Sequence, residues 1–76
     1  MKEININQIP LNGRVCWSHR GDRLWGEILK INRKTFRVSC SKYHDNEVWI
    51  VDKSLITSYI KFPDESKFGE EYKVIQ

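Results

Sequence analysis

The sequence has no apolar run of membrane-spanning length and no charged segment followed by an apolar stretch of the signal-peptide type. Its 76 residues include only two cysteines and two histidines, and no repeat or low-complexity tract. These absences argue against a membrane protein and against a secreted domain held together by disulfides. We expect a single small cytoplasmic domain with a modest core.

Sequence patterns of catalysis are also missing. There is no nucleophile elbow and no phosphate-binding or dinucleotide-binding glycine pattern. Asp22, Asp45, Glu47 and Asp52 fall in predicted polar segments, where acids usually increase solubility or cap helical turns. A chain this short offers little room for a closed ligand pocket. We therefore expect a non-enzyme with no cofactor, no small-molecule substrate and no membrane partner.

The charge is positive but uneven along the chain. The formal net charge is +3; residues 1–61 carry 11 Lys and Arg against 6 Asp and Glu, whereas residues 62–76 carry 2 against 4. A basic body with an acidic end favours a polyanionic partner, with the acidic end either shielding the basic face or simply increasing solubility.

The most informative stretch reads as a β-hairpin. Residues 24–31 are rich in apolar and β-branched side chains, and Phe36 and Val38 alternate with polar residues in the segment 35–40. Asn32–Lys34 between them is short enough for a tight turn. Gly26 marks a bulge, a bend or a close approach of another chain segment.

Three further strands, a helical turn and two terminal segments complete the prediction. The strands are expected at residues 14–19, 48–51 and 56–60, and a turn of helix capped by Asp52 at 52–55. Residues 1–12 read as an arm or edge strand, 13–61 as a small β-barrel domain and 62–76 as an acidic extension that could add a strand. The predicted core consists of Val15, Ile28, Ile31, Phe36, Val38, Val48, Ile50 and Leu55.

Several of these segments resemble a known superfold. Four segments resemble the Tudor and KOW branches of the Src-homology-3-like barrels. They are Gly13-Arg14-Val15-Cys16, the stretch from Trp25 to Ile31, residues 35–38, and the stretch from Tyr43 to Leu55 with its helical turn. The resemblance implies an all-β, five-stranded barrel with one helical turn before the last strand. It says less about function, because such barrels host many functions.

Basic and aromatic residues are interleaved along the predicted turns and polar strand positions. The basic set is Arg20, Arg23, Lys30, Arg33, Lys34, Arg37 and Lys42, and the aromatic set is Trp25, Tyr43 and Trp49. Lys and Arg neutralise phosphates, and aromatic rings stack on unpaired bases. We therefore expect a DNA-binding or RNA-binding barrel of low sequence specificity. The alternative for Trp25 and Trp49 is a place in the core.

A second functional class fits the same composition. Aromatic side chains framed by arginine are typical of hot spots in protein interfaces, and an exposed strand edge can pair with a partner segment. The alternative prediction is an inhibitor or adaptor that binds a larger protein machine through an Arg/Trp surface.

The cysteines and histidines have spacings that resemble a zinc site, Cys16-x2-His19 and Cys40-x3-His44. However, residues three apart on a strand point to opposite faces, so Cys16 and His19 are poorly placed to share an ion. A disulfide between Cys16 and Cys40 is conceivable, but free thiols are more usual in a cytoplasmic chain. We predict no metal site.

Overall fold

The computed structural model describes residues 2–41, 47–61 and 70–76. The all-β prediction is confirmed, but these ranges contain seven strands and not five. The strands are β1 (Lys2–Asn5), β2 (Gly13–His19), β3 (Asp22–Ile31), β4 (Thr35–Cys40), β5 (Glu47–Asp52), β6 (Ser58–Lys61) and β7 (Glu71–Ile75). Two short 3₁₀ turns, Ile6–Gln8 and Lys53–Leu55, precede β2 and β6.

The strands form one open mixed sheet in the order β1-β7-β6-β2-β3-β4-β5. All neighbours are antiparallel except β1 and β7, which run parallel. The prediction of a five-stranded barrel is therefore wrong. Both ends of the chain add a strand beyond β6, so that β1 and β5 become the two edges of the sheet.

The predicted central hairpin is confirmed. β3 ends at Ile31 and β4 begins at Thr35, and the Asn32 N–H donates to the Thr35 carbonyl at 2.9 Å. The preceding turn, between β2 and β3, places Arg20 at φ 51° and Gly21 at φ 85°. Positive φ at both central residues is what a type I′ hairpin turn requires, and it matches the twist of the flanking strands.

Gly26 marks a close approach and not a bulge. A Cβ at this position would lie 2.8 Å from Val38 Cγ2 and 3.0 Å from Trp17 Cη2. The sheet can therefore curl tightly over its inner face only because residue 26 has no side chain. The irregularity of β3 lies further on, between Ile28 and Lys30, where its register with β4 shifts.

Half of the predicted core is correct. Val15, Ile28, Phe36 and Val38 are buried on the inner face. Ile31, Val48, Ile50 and Leu55 are instead exposed, so their assignment to the core is wrong. Ile31 ends its strand and Leu55 lies in a 3₁₀ turn, whereas Val48 and Ile50 point away from the inner face of an edge strand.

The predicted helical turn after β5 is confirmed as the 3₁₀ turn Lys53–Leu55. The carboxylate of Asp52 caps it by accepting hydrogen bonds from the Ser54 N–H at 3.0 Å and the Ser54 hydroxyl at 2.9 Å. The turn is fixed to the central hairpin because the Lys53 N–H donates to the Lys34 carbonyl at 2.9 Å. The end of β5 is thereby held beside the turn between β3 and β4.

Candidate binding surface at the edge of the sheet

The candidate site is built on β5. Among the strands that the structure describes, β5 pairs only with β4. Its side chains alternate: Val51 faces the core, whereas Val48 and Ile50 are 49% and 62% exposed. An edge strand of this kind presents unpaired backbone N–H and C=O groups next to apolar side chains, which together form a template for another strand.

The inner side of β5 is lined with aromatic rings. The Trp49 ring lies 5.8 Å from that of Trp17 and 5.0 Å from that of His19, centroid to centroid. Beside these rings an open cavity of about 330 Å³ faces solvent. It is lined by Trp17, Ser18, His19, Trp49, Ile50, Val51, Asp52 and Leu55. Its volume is at the lower end of the range for ligand pockets, about 300–1,000 Å³, but it is open to solvent and not a closed pocket.

The outer side of the same edge carries two basic side chains in one row, with the acidic Glu27 in the next row, opposite Ser39 and Val48. Lys30 on β3 pairs in register with Arg37 on β4, and Arg37 pairs with Ile50 on β5, so the three form one row across the sheet. Like charges directly opposite each other on a sheet face are unfavourable. Within the described part of the chain, neither Lys30 nor Arg37 has an ion-pair partner. An anion bound here would relieve their repulsion.

Further charges lie at the two ends of β5. Arg33 and Lys34 occupy the turn between β3 and β4, and Lys53 directly follows β5. The hydrogen bonds from Ser54, and more weakly the charge of Lys34, hold the pKa of the Asp52 carboxyl below its ordinary value. Asp52 is therefore a capping carboxylate. Glu47 at the other end is half-buried.

The predicted basic and aromatic residues separate into two groups. One group lies at or near the turn of the β3–β4 hairpin, close to β5; it consists of Lys30, Arg33, Lys34 and Arg37. Arg20 lies in the turn before β3, and Arg23 and Trp25 lie in the first half of that strand, so this group follows the β2–β3 turn and not the β3–β4 turn. Lys42 and Tyr43 lie outside the described residues.

The two predicted aromatic anchors also lie on different faces. Trp25 is half-buried on the outer face, opposite Cys16, with the Arg23 guanidinium 5.8 Å from its ring centroid. Trp49 packs against the core from the inner face. The structure therefore does not bring Trp25 and Trp49 together into one stacking platform.

The four residues considered for zinc do not form a described cluster. Cys16 and Cys40 are both buried free thiols. Cys40 belongs to the main apolar cluster on the inner face, whereas Cys16 lies opposite Trp25 on the other face. His44 lies outside the described residues, and the remainder contains no group of three or more His, Cys, Asp or Glu suited to a metal.

Most of this surface was not predicted as a site from the sequence: neither the exposed Val48 and Ile50 nor the cavity walls Trp17, His19 and Leu55 were among the predicted site residues. Trp17 and His19 share a face of β2, as alternation in residues 14–19 indicates. That this face meets β5 depends on the curl of the sheet, which local patterns do not specify.

Comparison with known proteins adds no relative: no protein-family model, curated protein or solved structure matches this chain. None of the described helical segments is long and apolar enough to cross a membrane.

Proposed function

We propose that this protein is a non-enzymatic interaction module that binds a segment of a larger protein along β5. The observation that supports this proposal most directly is the combination of exposed Val48 and Ile50 with an aromatic cavity on the other side of the same strand. It is the second of the two functions that the sequence suggests.

The exposed edge of β5 is energetically unfavourable in the free protein. Soluble proteins usually protect edge strands with lysine, proline, a bulge or a covering segment, because bare apolar edges aggregate. The sequence of β5, Glu47-Val48-Trp49-Ile50-Val51-Asp52, contains neither lysine nor proline. Partner binding would remove Val48 and Ile50 from water and satisfy the outward backbone groups.

The test is affinity capture from a lysate of cells that naturally contain the protein, with and without nuclease. Wild type is compared with the double variant Val48→Thr/Ile50→Thr, which keeps β-branched side chains but removes apolar surface. Leu11→Thr is the matched control, because Leu11 is 59% exposed and lies outside β5. We expect one stoichiometric protein that survives nuclease, is retained by Leu11→Thr and is absent with the double variant. Equal recovery by all three proteins would contradict the proposal.

Nucleic-acid binding is the second candidate function, and the like-charge pair Lys30–Arg37 favours it. Together with Arg33 and Lys34 in the adjacent turn, these side chains could contact several phosphates of DNA or RNA. Nuclease-sensitive recovery of nucleic acid, independent of Val48 and Ile50, would favour this candidate.

We also propose that the chain is a variant of the small Src-homology-3-like barrels of Tudor or KOW type. The support is the curl that brings Trp49 on β5 against Trp17 on β2, although two strands separate them in the sheet. A solved structure with β2–β6 superimposable on such a barrel would test the relationship.

A further inference from the structure

We propose that the segment bound along β5 is extended and acidic, and that it places an aromatic side chain in the cavity beside Trp49. This inference rests on the proposed function, and it adds the chemistry of the partner. Backbone geometry, the cavity and the charge at the edge each determine one part of it.

The extended conformation follows from the edge strand. A segment that adds to β5 alternates its side chains between the two faces of the sheet. One set would pack against Val48 and Ile50 on the outer face. The other set would reach the inner side, where the cavity opens beside Trp49 and Leu55.

The aromatic side chain of the bound segment is inferred from the residues that line the cavity. Trp17 and Trp49 are tilted by 52°, and His19 meets Trp49 at 89°, so ring edges and faces are both available near the opening. Aromatic side chains favour such tilted and edge-to-face contacts and carry a large apolar area. Leu55, which is 52% exposed, would cover one side of an inserted ring.

The acidic character of the bound segment is inferred from the row that Lys30, Arg37 and Ile50 form on the outer face. A strand added to β5 would lie about 4.8 Å from it and about 10 Å from β4. The long side chain of Arg37, which pairs with Ile50, could reach a carboxylate on such a strand. Lys30 lies next to Arg37 in the same row, whereas Asp52 already accepts two hydrogen bonds from Ser54.

The same charges argue against a second copy of this chain as the occupant. Two β5 edges paired with each other would bring together two sets of basic side chains on molecules that each carry a net charge of +3. An acidic segment neutralises these charges, so charge complementarity favours a different partner.

The experiment measures binding of a short synthetic peptide in which Phe alternates with Glu, using the full-length protein. Three control peptides replace every Glu by Lys, every Phe by Ala, or a central residue by Pro, which cannot complete a strand ladder. Fluorescence anisotropy gives affinities, and amide chemical shifts locate the bound peptide. A single-stranded oligonucleotide is the probe for the competing class of ligand.

Variants assign each contribution. Arg37→Gln should weaken binding of the Phe/Glu peptide about two- to fivefold, as for an exposed ion pair, and reduce its salt dependence. Leu55→Ala should weaken it about three- to tenfold, because less apolar surface is buried against the inserted ring, with no change in salt dependence. Leu11→Ala, at an exposed site outside β5, should bind like wild type. Unfolding curves of each variant check that it is folded.

The inference is supported if the Phe/Glu peptide binds more tightly than all three controls and shifts the amides of β5. It is overturned if the Lys peptide binds as tightly as the Phe/Glu peptide. It is also overturned if the oligonucleotide displaces the peptide and oligonucleotide binding depends on Arg37 but not on Leu55. A third contrary result would be a dimer of this protein that Val48→Thr/Ile50→Thr abolishes. If no peptide binds but lysate capture still depends on β5, the partner chemistry is wrong and the proposed function stands. If both fail, both are wrong.

Discussion

His19 and Trp49 meet edge to face, with ring centroids 5.0 Å apart and planes at 89°, although β3 and β4 separate their strands in the sheet. This contact exists because the sheet curls until the inner face of β5 approaches the end of β2. The same curl makes the cavity and leaves the outer side of β5 exposed. A single bend of the sheet thus gives the edge strand two different faces, an aromatic inner face and an outer face that carries the Lys30–Arg37 pair.

The first prediction concerns the close packing that permits the curl. Gly26→Ala should lower the free energy of unfolding by about 1–3 kcal/mol, because the new methyl group would overlap Val38 and Trp17. Val38→Ala should cost about 1–3 kcal/mol through reduced burial and a small cavity. The double variant should be destabilised by less than the sum, since removing the Val38 methyls makes partial room. Urea unfolding measures all three, and strictly additive effects would contradict the packing described.

The second prediction concerns alkaline pH. Burial, and secondarily the nearby Tyr72, raises the pKa of Tyr59 above its ordinary value of 10.0. The contribution of this phenol to stability is therefore complete below pH 10.0 and is lost as the pH rises through its folded pKa. Tyrosinate absorbance should show that Tyr59 ionises above its ordinary pKa, and that this ionisation accompanies alkaline unfolding.

The variant Tyr59→Phe separates the hydrogen bond from the titration. It removes the bond that the Tyr59 hydroxyl donates to the Asn12 carbonyl at 2.6 Å, at a cost of about 0.5–1.5 kcal/mol. Stability should then fall less steeply at high pH. Tyr72→Phe is the control for the hydrogen bond, compared near neutral pH, because the hydroxyl of Tyr72 makes a long 3.4 Å bond to exposed Glu70. A larger destabilisation by Tyr72→Phe would contradict the assignment.

The third prediction concerns acid. Because the pKa of Asp52 is lowered by its hydrogen bonds with Ser54, its stabilising contribution is present above its ordinary value of 3.8 and is lost as the pH falls through the folded pKa. Asp52→Ala should destabilise the protein near neutral pH and make its stability less dependent on pH in the acid range. Unfolding curves at several pH values give the comparison, with the exposed Glu3→Ala as control. Parallel pH profiles for wild type and Asp52→Ala would show that the cap is unimportant.

The fourth prediction tests the nucleic-acid candidate. If Arg33 and Lys34 bind phosphates, Arg33→Ser/Lys34→Ser should weaken binding to single-stranded and duplex oligonucleotides alike, and lower the slope of log K against log salt by about 0.7–0.9 for each phosphate no longer neutralised. The fold should be preserved, because these are exposed turn residues. Trp25→Ala should cause a further, salt-independent decrease in affinity if its ring stacks on bases. If wild type does not bind the oligonucleotides at low salt, or if wild type and the double variant have equal salt slopes, the hairpin does not bind phosphates.

Local patterns were sufficient for much of the fold. Alternation around Phe36 and Val38, the short turn at Asn32 and the capping residue Asp52 each predicted an element that the structure contains. These features depend on neighbours within a few residues, which sequence shows directly.

The remainder depends on interactions between distant segments. In the apolar run from Val48 to Val51, the sequence predicted core positions for Val48 and Ile50, but the place of this strand at the edge of the sheet exposes both. Likewise, the parallel pairing of β1 with β7 joins the two ends of the chain. Strand order decides both outcomes, and residue type alone does not determine strand order.

The most direct test of the central claim is amide hydrogen exchange of the full-length protein, free and bound to the partner captured by wild type. The account predicts that binding slows exchange of outward-facing amides in β5, most clearly around Ile50, and leaves β1 at the opposite edge unchanged. Protection confined to β1, or to the Arg33–Lys34 turn with β5 unaffected, would contradict it.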